Sequence, residues 1–151
     1  MRLTSRKSPA HGIFTTRDHP TIVFLTVCTQ ARGCWLTSQG VHETLRIVWR
    51  EAWTWRVGRY VLMPDHIHLF CSPVELEVSL GRWIHFWKSR YSRRDPRPDH
   101  LWQRGYWDTR LRREDGYAQK WDYVRYNPVR AGLVKQPEEW PFQGEIDLLD
   151  W

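Results

Sequence analysis

Two histidines separated by one residue are the first feature of the sequence that could do chemistry. His66 and His68 flank Ile67 in an apolar segment that directly follows Pro64-Asp65. In a β-strand alternate side chains point to the same face, so the two imidazoles are predicted to lie side by side. Neutral imidazoles are common metal ligands, and two of them supply half of a divalent metal site. The alternative is a pair of surface or hydrogen-bonded histidines.

A second set of polar residues lies near the C-terminus, on a predicted helix. Tyr123 and Asn127 are four residues apart and therefore share one helix face. The carboxamide oxygen of Asn127 could complete a His/His/Asn site with open positions for phosphate oxygens, a mixed nitrogen and oxygen set that suits Mg²⁺ or Mn²⁺. A cation beside Tyr123 would help to deprotonate its hydroxyl, whose ordinary pKa is about 10. Spacing alone does not choose Tyr123 over Tyr126.

The elements that must position these residues alternate between strand and helix patterns. Apolar periodicity and turn residues predict strands at 21–29, 55–63, 66–72 and 101–111, and helices from Thr37 or Ser38 through Trp49, at 78–93 and at 114–127. This order is the split βαβ plan of an α+β, ferredoxin-like fold, with an antiparallel sheet, helices on one face and a further C-terminal helix. We expect that last helix to stop near Asn127, because the residue before a proline avoids the helical region.

Length and composition indicate one domain, which we place at 21–151 behind a flexible basic N-terminal arm at 1–20. The longest apolar run is far shorter than the roughly 20 residues that cross a bilayer, and the basic start leads into no apolar segment, so we expect neither membrane association nor secretion. Cys28, Cys34 and Cys71 form no CxxC pair, which favours reduced thiols in a cytoplasm.

The positive charge is concentrated in one stretch of the chain. The formal net charge is +6, but residues 82–130 alone hold thirteen basic residues against six acidic ones. Tryptophans and tyrosines are interleaved with these cations, a combination that single-strand nucleic-acid binders use. The alternative is a solvated basic helix face over an aromatic core. The candidate phosphate contacts are Lys88, Arg90, Arg93, Arg94, Arg104, Arg110, Arg112, Arg125 and Arg130.

Three blocks of the sequence resemble one known family. They are YVLMPDHIHL (Tyr60–Leu69), LWQRGYWD (Leu101–Asp108) and WDYVRYNPVRAGLV (Trp121–Val134). Their order and spacing resemble the single-tyrosine HUH transposases of the insertion-sequence-200-like group, and most closely the REP-associated tyrosine transposases, which occur beside short palindromic repeats in bacterial genomes. The likeness runs from about residue 21 to residue 142. The second block has no role that we can assign residue by residue.

The resemblance implies a role for each of the residues singled out above. It implies that His66 and His68 bind a divalent ion, Mg²⁺ or Mn²⁺, on the sheet of a ferredoxin-like fold. It implies that Asn127 is the third metal ligand and that Tyr123 is the nucleophile. Tyr126 thereby becomes the second choice for the nucleophile.

The resemblance also implies a substrate and a reaction. The expected partner is single-stranded DNA that carries a REP-type palindromic hairpin, and the expected product is a covalent 5′-phosphotyrosine with a free 3′-hydroxyl. Because the tyrosyl ester conserves phosphodiester energy, strand transfer would need no nucleotide cofactor. Such a protein would act in the bacterial cytoplasm, at the nucleoid when bound to DNA, as a monomer or a homodimer.

Two other functions remain open from the sequence. The first is a domesticated protein that binds hairpin DNA through its basic half without cutting it. The second is a small metallohydrolase in which Asp65 or His85 joins His66 and His68 as a metal ligand. The basic stretch and the absence of a glycine-rich phosphate loop count against the second.

Overall fold

A computed structural model describes residues 21–150, so the predicted basic arm at 1–20 lies outside the described residues. The α+β, ferredoxin-like fold predicted from the sequence is confirmed. In chain order the strands and helices are β1 (Val23–Cys28), α1 (Gln39–Glu51), β2 (Trp55–Leu62), β3 (His66–Pro73), α2 (Leu80–Arg94), β4 (Trp107–Arg110), α3 (Tyr117–Val124), α4 (Asn127–Arg130) and β5 (Gln143–Glu145). None of the described helices is long and apolar enough to cross a membrane.

The five strands form one antiparallel sheet in the order β4-β1-β3-β2-β5. The first four strands have the neighbour relations of the split βαβ plan. β5 adds a fifth strand beside β2, and the sequence did not predict it because three residues around Gly144 carry no apolar alternation. The register places Cys28 opposite His66 and Thr26 opposite His68 across the β1–β3 pair.

One face of the sheet is covered by α1 and α2. A serine caps each helix: the Ser38 hydroxyl accepts the Val41 N–H, as the sequence predicts for one of its two candidate caps. The Ser79 hydroxyl accepts the Arg82 N–H, so α2 begins at Leu80 and not at 78 as predicted. Their apolar stripes pack on alternate strand residues in one continuous core. Its large helix side chains are Leu45, Val48, Trp49, Leu80, Trp83, Ile84, Trp87 and Tyr91.

The opposite face of the sheet is covered by α3. Strand alternation sends Phe70 to this side, where it contacts the rings of Tyr117 and Trp121. The Tyr117 hydroxyl accepts the backbone N–H of Arg59 at 2.8 Å. It fits there only because Gly58 has no side chain: a Cβ on Gly58 would lie 2.5 Å from that oxygen. These contacts fix α3 over the strand that carries the two histidines.

The helix predicted at 114–127 is wrong at both ends. Gly116, with φ of +68°, separates a 3₁₀ turn from α3, so the helix begins at Tyr117. It ends at Val124 because Pro128 lacks the N–H that would bond to the Val124 carbonyl. Asn127 then begins a new short helix in which Pro128 occupies the first turn, where no N–H is needed.

The strand predicted at 101–111 is also shorter than expected, since β4 covers Trp107–Arg110. Before it the chain makes only an isolated bridge between Trp102 and Thr29, and it turns at Gly105 with φ of +85°. The Lys88 ammonium donates to the carbonyls of Gln103 and Gly105 at 3.0 and 3.1 Å and holds this turn.

Candidate active site

The two histidines of β3 lie on the same face of the sheet, as strand alternation predicts. The ring centroids of His66 and His68 are 4.7 Å apart, and the ring planes cross at 79°. Ile67, between them, is fully buried in the core under α1 and α2. The imidazoles therefore face the side that carries α3.

The ring of His66 is oriented by an acidic residue next to it in the sequence. Its Nδ1 lies 2.7 Å from Oδ1 of Asp65, whose Oδ2 accepts from the Arg32 guanidinium at 2.8 Å. Burial alone would raise the pKa of the Asp65 carboxyl, but the hydrogen bonds from Arg32 and His66 outweigh it and lower that pKa. In neutral His66 an ionised Asp65 accepts the Nδ1–H, and the lone pair then lies on Nε2.

The ring of His68 is held by a hydroxyl on the neighbouring strand. Its Nδ1 lies 2.8 Å from Oγ1 of Thr26, and Phe24 stacks on the ring with centroids 5.3 Å apart. Burial, with smaller contributions from the nearby charges of His66, Lys120 and Arg130, lowers the pKa of His68 to about 3. The imidazole is therefore neutral at physiological pH, and the tautomer that donates Nδ1–H to Thr26 leaves Nε2 free to bind a metal.

This donor arrangement fits a divalent metal ion. Both imidazoles have Nδ1 held by a neighbouring oxygen and Nε2 without a protein partner among residues 21–150, which is the usual arrangement of metal-ligating histidines. In that same part of the chain no group of three or more His, Cys, Asp and Glu side chains could hold a metal. Asp65 is committed to His66 and Arg32, and His85 lies on α2 across the sheet, so the metallohydrolase ligand set is not formed. Further ligands must be amide, water or substrate oxygens.

Helix α3 places a cation beside the histidines. The Lys120 ammonium lies over the Phe24 ring, 5.0 Å from its centroid, and the same ring stacks on His68. Lys120 is one turn before Tyr123 on α3. The helix that carries Tyr123 therefore lies over the face to which both imidazoles point.

Tyr123 and Asn127 are brought together by an arginine. The Arg130 Nη2 donates to the backbone oxygen of Tyr123 at 2.9 Å and to Oδ1 of Asn127 at 2.7 Å. Its guanidinium lies over the Tyr123 ring, 4.1 Å from the centroid. Within residues 21–150 no hydrogen bond joins Tyr123 or Asn127 to either imidazole.

The two candidate tyrosines have different surroundings. Tyr123 is 63% exposed, so its hydroxyl is open to a macromolecular substrate. Tyr126 is half-buried at the start of α4, with the Arg125 guanidinium 5.0 Å from its ring centroid. Exposure therefore favours Tyr123 as the tyrosine that a DNA strand could reach.

The candidate phosphate contacts on α2 are largely held by the protein itself. Arg94 and Arg90 pair with Glu51 of α1 at 2.6 and 3.3 Å, and Lys88 is held by backbone carbonyls. Burial lowers the pKa of Lys88 to about 8. Because α2 lies on the face away from His66, these cations are separated from the imidazoles by the sheet.

The aromatic residues interleaved with those cations are mostly core residues. Trp83, Trp87 and Tyr91 are buried in the cluster under α1 and α2, and the Trp102 ring packs against Trp87 and Tyr91. For this helix the reading as a basic face over an aromatic core is the correct one. The second sequence block therefore contributes at least one packing residue, Trp102.

The other candidate phosphate contacts are Arg93, in the last turn of α2, and residues that follow this helix. Arg125 pairs with Asp122 at 3.0 Å and with Glu138 at 3.2 Å. The remaining side chains are exposed: Arg93, Arg104, Arg110, Arg112 and Arg130. Their roles in DNA binding stay predictions.

Sequence reasoning missed three residues that surround the histidines. Thr26 becomes a partner of His68 only through the β1–β3 register, which the sequence does not specify. Lys120 was counted only within the basic stretch, because its position over Phe24 depends on how α3 seats. The role of Asp65 could have been inferred, since an acid beside a ligating histidine is a common orienting partner.

Relatives found by sequence point to one family. No protein-family model matches the chain. A protein from Haemophilus influenzae, provisionally named as a REP-associated tyrosine transposase, is 30% identical over 110 residues, covering 60% of this chain and 62% of that protein. A REP-associated tyrosine transposase from Escherichia coli is 29% identical over 87 residues, covering 57% and 52%. The chain thus spans less than two thirds of either curated relative.

Solved structures agree with the sequence relatives. A structure of a REP-associated tyrosine transposase bound to a REP hairpin has a TM-score of 0.68 at 25% identity, covering 82% of this chain and 75% of that one. A transposase candidate from Deinococcus radiodurans has a TM-score of 0.54 at 19% identity, covering 74% and 95%, and supports the fold alone. The predicted resemblance to the REP-associated tyrosine transposases is confirmed in sequence and in fold.

Proposed function

We propose that this chain, similar as it is to the REP-associated tyrosine transposases, nicks and rejoins single-stranded DNA at REP-type hairpins. The observation that carries the proposal is the arrangement on one sheet face. Two oriented imidazoles lie beneath the helix that presents an exposed Tyr123. The activity is metal-dependent and passes through a covalent 5′-phosphotyrosine.

The histidines and Asn127 are the residues that would hold the metal. Asp65 and Thr26 each hold the Nδ1 of one ring, so both Nε2 atoms are available without rearrangement of the strand. Mg²⁺ or Mn²⁺ bound there would supply charge stabilisation and alignment of the scissile phosphate. The chain itself contributes the rigid strand and keeps His68 neutral and ready to bind.

Tyr123 is the proposed nucleophile. Its hydroxyl oxygen attacks the phosphorus in line, the phenolic proton leaves to solvent, and the bond from phosphorus to the 3′ oxygen breaks. The products are a 5′-phosphotyrosine and a free 3′-hydroxyl. Attack by a 3′-hydroxyl of another strand restores the phenol and reseals the backbone, so the number of phosphodiester bonds is conserved.

The proposed substrate follows from charge, exposure and the structural relative. Lys120 and Arg130 are cations close to His68, where the phosphate would have to lie. Tyr123 stands on an open surface, which suits a flexible single strand at the cut. One similar protein is bound to a REP hairpin, which makes a hairpin with an unpaired flank the substrate to test first.

Covalent capture tests the proposal. The chain is incubated with Mn²⁺ and labelled single-stranded DNA carrying a REP hairpin with its flanks, and SDS-resistant adducts are resolved by electrophoresis. We expect an adduct with wild type and with Tyr126→Phe, and none with Tyr123→Phe. An adduct that persists in Tyr123→Phe contradicts the nucleophile. Hairpin binding without any adduct across Mg²⁺, Mn²⁺ and several REP sequences indicates a binding protein instead.

A further inference from the structure

One arginine joins the nucleophile and the predicted third metal ligand. Arg130 donates to the Tyr123 carbonyl and to the Asn127 side chain through a single nitrogen, Nη2. Its Nη1 and Nε have no hydrogen-bond partner among the residues that the structure describes, and the side chain is exposed. The guanidinium thus holds two site residues and keeps donors free.

The contact orients the Asn127 side chain. A carboxamide oxygen has two lone pairs, and Arg130 takes one at 2.7 Å, so the second remains for a metal ion. The hydrogen bond also fixes which end of the amide is the oxygen, because a guanidinium has no acceptor. Arg130 therefore fixes which end of the Asn127 amide carries the remaining lone pair.

The same contact brings a fixed positive charge close to the metal site. Two cations that share one oxygen ligand repel each other. An anionic phosphate oxygen between them reverses the sign, because both cations then attract it. Metal and phosphate are thereby expected to bind cooperatively.

We propose that Arg130 is a positioning residue that couples metal binding to binding of the scissile phosphate. The inference rests on the proposed function. In the absence of DNA the guanidinium weakens the affinity for the metal. With a phosphate in place, the free donors of Arg130 and the metal contact the same phosphate group. Metal binding and phosphate binding therefore strengthen each other by the same factor.

Manganese binding measures this coupling directly. The Tyr123→Phe protein cannot form the adduct and keeps the ring beneath Arg130. Its Mn²⁺ affinity is measured by electron paramagnetic resonance with and without the REP hairpin strand. We expect DNA to tighten Mn²⁺ binding by about 10-fold, within the range typical of coupled sites.

Three variants in that background separate the coupling from a structural role. Arg130→Gln removes the charge; we expect tighter Mn²⁺ binding without DNA and a coupling factor that falls to about 1. Arg113→Gln, an exposed arginine outside the site, removes the same charge and should keep the full factor. Arg130→Lys keeps the charge without the planar fork, and partial coupling is expected.

The outcomes distinguish this inference from the proposed function. The inference is overturned if Arg130→Gln has the melting temperature of its parent and keeps the coupling factor. It is also overturned if the Mn²⁺ affinity of Arg130→Gln falls equally with and without DNA. If wild type forms no adduct while Arg130 governs the Mn²⁺ coupling, the nicking activity fails and the coupling stands. If no variant binds Mn²⁺, the metal site and the coupling both fail.

Discussion

The two faces of the sheet carry similar residues and use them differently. Under α1 and α2 the tryptophans are buried and the arginines of α2 pair with Glu51. On the other face Lys120 of α3 lies close to His68, and the same helix carries the exposed Tyr123. The first face is built for stability and the second leaves polar groups available to a substrate.

This difference shows that a basic, aromatic stretch of sequence does not define one surface. Residues 82–130 hold most of the positive charge, yet the sheet divides them between its two sides. Charge density in the sequence is therefore a poor guide to the proposed path of the DNA. The location of each cation relative to His68 is a better one.

The largest expected difference in adduct formation is between alanine variants of two histidines on opposite faces of the sheet. His68→Ala removes a predicted metal ligand, so we expect adduct formation to slow by about 100-fold or more. Loss of a residue that only orients a metal ligand already costs up to about 100-fold. His85→Ala, exposed on α2, should leave the rate within about 2-fold of wild type. Single-turnover adduct formation measures both. Equal losses would contradict the division between the faces.

The next prediction tests the contact that holds α3 on the sheet. Gly58→Ala places a methyl group 2.5 Å from the Tyr117 hydroxyl, and we expect a stability loss of about 3 kcal/mol with slower adduct formation. Gly40→Ala on α1 meets nothing within 4 Å and should stabilise by about 0.5–1 kcal/mol. Urea unfolding measures both changes. A neutral Gly58→Ala would show that this contact does not position α3.

Acid should remove a stabilising contribution from the α2 side of the sheet. Asp95 follows α2, and although burial would raise the pKa of its carboxyl, hydrogen bonds from Arg97, Tyr91 and His100 lower it to about 2. Because the folded pKa lies below the unfolded value, the carboxyl contributes about 2 kcal/mol above pH 4, which is lost as the pH falls towards 2.

Urea unfolding from pH 7 to pH 2 measures that contribution. Asp95→Asn should be less stable than wild type at neutral pH, and the gap should narrow below about pH 4 and nearly close at about pH 2. The folded variant should still form the adduct, since Asp95 touches no site residue. A gap that does not change with pH would contradict the role of the ionised carboxylate.

The smallest expected effects are on hairpin binding, when one cation on each face of the sheet is neutralised. Lys120→Gln should weaken hairpin binding a few-fold and reduce the slope of log affinity against log salt by about 1, because one phosphate contact is lost. Arg94→Gln, whose partner is Glu51, should leave that slope unchanged. Equal changes in the slope would place DNA on both faces.

Much of the fold was predictable, because its signals are local. Ser38 marks the start of α1, apolar spacing predicts α2, and the alternation of β3 puts His66 and His68 on one face. The boundaries of α3 were not predictable, since its end at Val124 depends on the backbone N–H that Pro128 lacks. The three-residue strand β5 was not predictable either, because it has no apolar alternation.

The candidate site was predictable in its residue types and not in its contacts. His66, His68 and Tyr123 follow from spacing and family resemblance. The Thr26 partner depends on strand register, and the Arg130 bridge depends on how α4 turns back on α3. Both are tertiary features, which no local pattern in the sequence specifies.

Mapping the covalent link tests the central claim most directly. The SDS-resistant adduct is digested with protease and nuclease, and the peptide that carries the nucleotide is identified by mass spectrometry. The account predicts a 5′-nucleotide phosphate on Tyr123, in the peptide from α3. A nucleotide on Tyr126, or on any residue of the α1 and α2 side, would contradict it.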